Sequence, residues 1–204
     1  MHSSLSRAAE TSVKIAKVAG LSGFAYYGER STIFPIHTED GDFWSINYLH
    51  YGAPKIWYVT AQSSFEKVSQ LIRAVCLKSK DEQTRSAVKC PGFLRHKQFQ
   101  CSPQWLLDRN VQVYRLVQKP GMYVIIRPGV LHWGFNCGFN VAEAANFALE
   151  SHYTEIADIR STTNELQYKF RVCRSGWIPH FKQNRNLCEI GQSKQLPMFF
   201  SQRF

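Results

Sequence analysis

No stretch of this 204-residue sequence comes near the roughly 20 consecutive apolar residues that a membrane-spanning helix needs, so it offers no candidate transmembrane helix. Residues 1–10 lack the apolar core of a signal peptide, which gives no indication of a secretory route. No Cys-x-x-Cys pair occurs. Cys76, Cys90, Cys101, Cys137, Cys173 and Cys188 are dispersed, and in a chain without a secretory signal they read as free thiols or metal ligands before disulfides. Low-complexity tracts are also missing, and a hydrophobic content of 44% with 14% aromatics argues against disorder. Acid is the scarce charge: 15 Asp plus Glu face 25 Lys plus Arg, giving a formal net charge of +10 and a pI near 9.4. An excess of this size suits an acidic partner such as chromatin, or simply a solvated basic surface.

What is present is a series of short strand-like runs. The length is that of one domain or a domain with a small appendage, and no internal repeat is visible. Residues 11–19 have mixed helical character, so 1–19 read as a helical lead-in. Residues 24–27 and 33–37 then read as strands joined by the polar stretch Gly28-Glu29-Arg30. Residues 45–51 and 55–59 are two more, with Gly52-Ala53-Pro54 turning one into the other. Residues 63–78 look helical: Ser63 and Glu66 have capping-box spacing, and Phe65, Val68, Leu71, Ile72 and Val75 form one apolar stripe. The polar segment 78–89 reads as an exposed loop or insertion, and Ser102-Pro103 opens a short helix through Leu107. Strands over 111–117 and 122–126 follow, turned at Lys119-Pro120-Gly121, and Pro128-Gly129 delivers His132 to the next strand. Residues 141–149 read as a final strand and 153–170 as a helix, so 151–204 form a helical C-terminal segment. Many short strands with closely spaced turns imply a mainly β fold, a jelly roll with a few flanking helices.

His37-Thr38-Glu39 closes one of these runs. In a strand, residues i and i+2 point to the same face, so His37 and Glu39 can reach one metal ion while Thr38 points away. With His132 arriving from another strand they make the two-His, one-carboxylate set that holds non-haem Fe(II) and leaves positions open. On spacing alone, each histidine could equally be a packed core residue.

The surrounding residues narrow the choice. His37-Thr38-Glu39-Asp40, Ser45-Ile46-Asn47-Tyr48-Leu49-His50 and Gly52-x-Pro54-Lys55-x-Trp57-Tyr58 together resemble the JmjC-domain histone lysine demethylases. So do Phe93-Leu94-Arg95-His96-Lys97 and the block His132-x-Gly134-Phe135-Asn136-x-Gly138-Phe139-Asn140-x-Ala142-Glu143-x-x-Asn146-Phe147-Ala148. The likeness covers roughly residues 20–150 and is nearest to the subfamily that joins JmjN to JmjC and acts on tri- and dimethylated histone H3 lysines. It implies a double-stranded β-helix, the cupin-like JmjC barrel. It also implies that His37, Glu39 and His132 bind Fe(II), that 2-oxoglutarate chelates this iron, and that Lys55 pairs with the far carboxylate of 2-oxoglutarate. A compact ammonium on a flexible stem suits that task, although a lysine after a turn can also be a surface residue. Asn47 matches a cosubstrate contact, and Phe34 and Trp57 match pocket walls. Tyr26, with Phe24 nearby, matches the methyl-lysine cage, where aromatic faces suit a methylated ammonium. Ala144 and Ala145 stand where many members have Ser and Thr.

The reaction so implied is N-methyl hydroxylation of methyl-lysine with release of formaldehyde, on lysine-9 or lysine-36 type marks of a histone H3 tail or nucleosome, in the nucleus. No membrane and no direct sequence-specific DNA binding are implied. Cys90, His96 and Cys173 match ligands of a structural zinc, while the fourth position falls on Arg171, which cannot coordinate a metal, unless Cys188 substitutes. Only 36 residues precede His37, fewer than the JmjN segment and early strands of the family occupy, so that region reads as missing or replaced. Two alternatives remain at this level: a JmjC protein hydroxylase acting on another side chain, and a catalytically silent chromatin-binding domain.

Overall fold

The computed structural model describes residues 23–39, 43–147 and 149, and the backbone of a strand at 198–200. The lead-in at 1–19 and the helix expected over 153–170 lie outside the described residues. Between Gly23 and Phe147 the chain forms β1 (Phe24–Gly28), β2 (Ile33–His37), β3 (Trp44–Gly52), β4 (Lys55–Thr60), β5 (Phe99–Cys101), β6 (Val113–Gln118), β7 (Tyr123–Ile126), β8 (His132–Asn136) and β9 (Asn140–Phe147). Three helices interrupt them: α1 (Phe65–Leu77), α2 (Glu82–Ala87) and α3 (Pro103–Leu107). The final strand β10 (Met198–Phe200) runs parallel to β5. No helix among the described residues is long and apolar enough to cross a membrane.

The strands divide into two four-stranded antiparallel sheets, ordered β1-β9-β3-β7 and β2-β8-β4-β6. Successive strands alternate between the sheets, except where β4 and β6 are joined through the helices. This winding is the double-stranded β-helix that the resemblance implied. It also defines what the two turns read from sequence do. Gly52-Ala53-Pro54 and Lys119-Pro120-Gly121 do not close hairpins; they carry the chain from one sheet to the other, so the strands they join are not partners. Gly52 is required for the first crossing, because its φ is +96° and a Cβ there would lie 2.3 Å from the Phe139 carbonyl oxygen.

Strand β4, inside the β2-β8-β4-β6 sheet, is covered on both faces, which is why Lys55-Ile56-Trp57-Tyr58-Val59 reads as an almost unbroken apolar run. The outer face carries Tyr58 and Trp133 into contact with the helical layer, and there the largest core forms, around Phe65, Val68, Ile72, Phe93, Phe99, Leu106 and Trp133. The inner face meets the other sheet in a smaller cluster of Trp57, Val124 and Ile126, with Phe34, Val59, Leu116 and Val130 packed against it. The remaining inward positions are polar, and they make the site.

Two local expectations change. The capping box at Ser63 and Glu66 does not form: Ser63 lies in a 3-10 turn over Gln62–Ser64, and Ser64 caps α1 without a side-chain hydrogen bond. Of the apolar stripe, Phe65, Val68 and Ile72 are buried, Leu71 is partly so, and Val75 faces solvent. The segment 78–89 is not an exposed loop. It contains α2, whose first turn is capped by the Asp81 carboxylate accepting from the Gln83 and Thr84 amides, and Thr84, Ala87 and Val88 are buried.

Gly134 sits at the tightest point of the inner face. It lies opposite Trp57 in β4 and Phe34 in β2, whose rings meet edge-on across it at 4.7 Å between centroids. A Cβ on Gly134 would stand 1.9 Å from the Ile56 carbonyl oxygen and 2.5 Å from the Phe34 ring. Gly134→Ala is therefore expected to destabilise the fold by about 3 kcal/mol or more, measured by urea denaturation. A loss within about 0.5 kcal/mol, the range of a neutral surface change, would show that this contact is not tight.

Candidate metal and cosubstrate site

The strand β2 ends at His37, so Glu39 lies just beyond it, yet both side chains reach the same place. His37 faces His132 directly in the β2–β8 pairing, with ring centroids 4.2 Å apart. The Nδ1 of His37 lies 2.6 Å from the Pro35 carbonyl and that of His132 lies 3.1 Å from the Val130 carbonyl. A carbonyl can only accept, so both Nδ1 atoms carry a proton and both Nε2 atoms face inward, where each can hydrogen-bond Glu39 while protonated or give its lone pair to a metal that displaces the proton. His132 Nε2 is 3.3 Å and His37 Nε2 4.0 Å from Glu39 Oε1.

Burial alone would raise the Glu39 carboxyl, but its hydrogen bond to His132 and the nearby charges of His132, His37 and Lys97 outweigh that and hold it well below the usual carboxylate range. Burial, then the charges of His132 and Lys97, pushes His37 well below the ordinary histidine value and keeps it a neutral donor. Three electron-pair donors facing one another are stable only around a proton or a cation. Their ligand atoms all lie within 4.8 Å of one another, and donors on one octahedral face of a metal with bonds near 2.1 Å stand roughly 3 Å apart, so a small closure completes the set. Among the described residues this is the group of His, Cys, Asp or Glu side chains able to hold a metal ion.

The other end of the inner face is cationic. Lys55 is only 6% exposed, and its Nζ donates to Asn136 Oδ1 at 2.8 Å and lies 5.4 Å from the Phe34 ring centroid. Burial lowers its pKa to about 8. Trp57 follows on the same face of β4, and Val59, two residues further, pairs with His132. Lys55 and the metal donors thus stand about 13 Å apart along the strand, a gap that the side chains shorten from both ends. Asn47 enters from the facing sheet and is buried.

Residues 24–147 match the family described as JmjC domain, hydroxylase. The chain belongs to this JmjC family. It is 40% identical over 125 residues to the probable lysine-specific demethylase 4F of Homo sapiens, 39% to lysine-specific demethylase 4D of Rattus norvegicus and 38% to lysine-specific demethylase 4B of Mus musculus. Each match covers 61% of this chain but only 18%, 23% and 11% of the respective relative, so the chain spans less than a quarter of their length.

The remaining candidates are placed unevenly. Phe24 pairs with Ala144 and Tyr26 with Ala142, while Ala144 also pairs with Asn47, so Phe24, Tyr26 and Ala144 share the inward face of their sheet. Phe24 and Tyr26 are about half exposed at its edge. Ala145 pairs with Ile46 and points to the opposite face, because successive strand residues alternate, so it does not join them. Cys90 is buried, where burial pushes its thiol pKa up, and His96 ends the 3-10 turn Phe93–His96. Cys173, Arg171 and Cys188 lie outside the described residues.

Two contributors were passed over in the sequence. Asn146 donates to Glu39 Oε2 at 3.2 Å, which leaves Oε1 to face the imidazoles. Lys97 adds positive charge felt by His37 and Glu39. Both lie in quoted motif blocks; for Asn146 the available signal was a polar residue at an inward strand position, whereas Lys97 follows the 3-10 turn 93–96 and gave none.

Two measurements follow. Mn(II) at a hundredfold excess over its dissociation constant should stabilise the protein by about 2.7 kcal/mol, seen as a rise in Tm, and His132→Ala should abolish the rise. An unchanged Tm for the unsubstituted protein would exclude a metal site. Lys55→Met should stabilise the metal-free protein by about 2 kcal/mol near pH 7, because a lysine whose pKa falls on folding binds its proton better when unfolded. That penalty is complete below about pH 8 and disappears toward the ordinary lysine value, so the two proteins should converge in urea denaturation as pH rises through this window. Equal stability at pH 7 would show that the ammonium carries no burial cost.

Proposed function

We propose that this chain is the catalytic core of an Fe(II)- and 2-oxoglutarate-dependent histone lysine demethylase, acting on a methylated histone H3 tail of chromatin in the nucleus. The observation that carries this reading is the two-ended inner face: metal donors at one end, a buried lysine at the other, and the Phe34 and Trp57 rings between them. A small molecule that chelates a metal at one end and carries a carboxylate at the other matches both, which describes 2-oxoglutarate. The names of the relatives, all lysine-specific demethylases, support the same assignment.

The iron and cosubstrate, when bound, would supply the oxidising chemistry for hydroxylating an N-methyl group. The chain supplies position. His37, Glu39 and His132 would hold the metal through three donors. Lys55 neutralises the far carboxylate, and Asn47 donates to it. Phe34 and Trp57 exclude water from the stem of the cosubstrate. Tyr26 and Phe24, at the rim of the inward face, offer aromatic surface to a methylated ammonium, and Ala144 beside them leaves that rim small and apolar. Lysine-9 and lysine-36 type marks are the substrates of this reading. A structural zinc held by Cys90, His96 and Cys173 belongs to the same proposal.

The test is incubation with Fe(II), ascorbate, 2-oxoglutarate and a panel of methylated histone H3 peptides, followed by mass spectrometry. Loss of mass in methyl units, abolished in His132→Ala, is the expected result. A stable gain of one oxygen would replace the demethylase with a hydroxylase. No peptide change despite metal binding would leave a silent chromatin-binding domain.

A further inference from the structure

Two buried amides flank Lys55 in register. Gln118 of β6 and Asn136 of β8 both pair with it, on opposite sides, so the three side chains form a row across the inner face. Gln118 is fully buried and Asn136 is 6% exposed. Neither is needed to fill the apolar core, and neither touches the metal donors.

Their hydrogen bonds leave one orientation to each amide. The Trp57 indole can only donate, and it donates to Gln118 Oε1 at 2.9 Å. Gln118 Nε2 must therefore be the other end, and it donates to Asn47 Oδ1, to the Asn47 carbonyl and to the Met122 carbonyl, each at 3.1 Å. With its Oδ1 engaged in this way, Asn47 presents its NH2 group to the pocket. Asn136 works by the same logic. Its Oδ1 accepts from Lys55 Nζ at 2.8 Å and from Asn140 Nδ2 at 2.9 Å, while its Nδ2 donates to Thr32 Oγ1 at 2.8 Å. A reversed amide would set NH2 against an ammonium.

We infer that Gln118 and Asn136 are positioning residues for the distal carboxylate of the cosubstrate, fixing Asn47 as a donor and holding Lys55 on a neutral acceptor that leaves its charge for the ligand. The inference rests on the 2-oxoglutarate reading above. A neutral acceptor matters because a carboxylate in the same place would compete with the ligand for the ammonium. An amide satisfies one Lys55 proton and leaves the ammonium charge uncompensated. Gly28 keeps the row closed from above, since a Cβ there would lie 2.5 Å from Asn140 Oδ1 and 2.6 Å from Asn136 Cγ.

The experiment loads the protein with Mn(II) and titrates it calorimetrically with 2-oxoglutarate and, separately, with oxalate, which chelates the metal but has no distal carboxylate. Asn136→Asp preserves shape and the Lys55 and Asn140 bonds, and draws the Thr32 hydroxyl proton from the Glu29 carbonyl to the new carboxylate. It should weaken 2-oxoglutarate at least tenfold relative to oxalate, in a protein that still binds Mn(II) and still unfolds in one cooperative thermal transition. Gln118→Glu keeps the indole acceptor and turns the Asn47 amide over, with a lower Tm because a carboxylate oxygen then faces the Asn47 and Met122 carbonyls, and it should show the same loss of 2-oxoglutarate relative to oxalate. Unchanged 2-oxoglutarate affinity in both variants, or a parallel loss of oxalate, overturns the inference alone. Failure of the Mn(II)-loaded, unsubstituted protein to bind 2-oxoglutarate while binding oxalate overturns the cosubstrate reading and this inference with it.

Discussion

In β8 the inward positions are His132, Gly134 and Asn136, and the pairing of this strand with β2 on one side and β4 on the other decides what each can touch. His132 meets His37, Gly134 lets the Phe34 and Trp57 rings close over it, and Asn136 meets Lys55. A slip of one residue would turn all three outward, since strand side chains alternate. What prevents the slip is the residues between them. Trp133 is fully buried in the helical core, and Phe135 points the same way, beside Tyr58. One five-residue strand thus carries packing on one face and chemistry on the other, and the packing sets the register that the chemistry needs.

This division explains where the apolar surface lies. A barrel interior filled with aliphatic side chains would be the simpler source of stability, at about 25 cal/mol for each Å² removed from water. Here the inner cluster is small and the main core sits outside the barrel, between the β2-β8-β4-β6 sheet and the helices. Polar groups in the interior are tolerable because almost every one has a designated partner: Asn136 serves Lys55, Gln118 serves Trp57 and Asn47, and Asn146 serves Glu39.

Much of this was legible in the sequence, for physical reasons. Strands announce themselves by β-branched and aromatic runs, and His37, Glu39, Asn47, Lys55, Trp57 and His132 lie in blocks whose residue types are demanding enough to identify a family. Sheet membership was not legible, because a turn such as Gly52-Ala53-Pro54 has the same composition whether it closes a hairpin or crosses between sheets. The helix α2 was hidden by its polarity: a two-turn helix held by the Asp81 cap and a few buried positions has too short a period to display. The face on which Ala145 lies was not legible, because the alternation on β9 is fixed by its pairing with β3, a long-range fact. The amides Gln118 and Asn136 carry no signature of their own, and their roles come only from standing opposite Lys55.

The two ends of the inner face are complementary to one another as well as to a ligand. Without a ligand, the Glu39 carboxylate and the Lys55 ammonium formally cancel within the interior, although too far apart to pair. A divalent metal alone would leave an excess of two positive charges in a medium of low dielectric, and a dicarboxylate alone would leave two negative ones. Together they restore neutrality, so each lowers the electrostatic cost of the other. Cooperative loading of metal and dicarboxylate then follows from charge balance in a closed barrel, without any conformational change. The neutrality of Asn136 and Gln118 is part of that balance: an ionised side chain in either position would tip it before a ligand arrived.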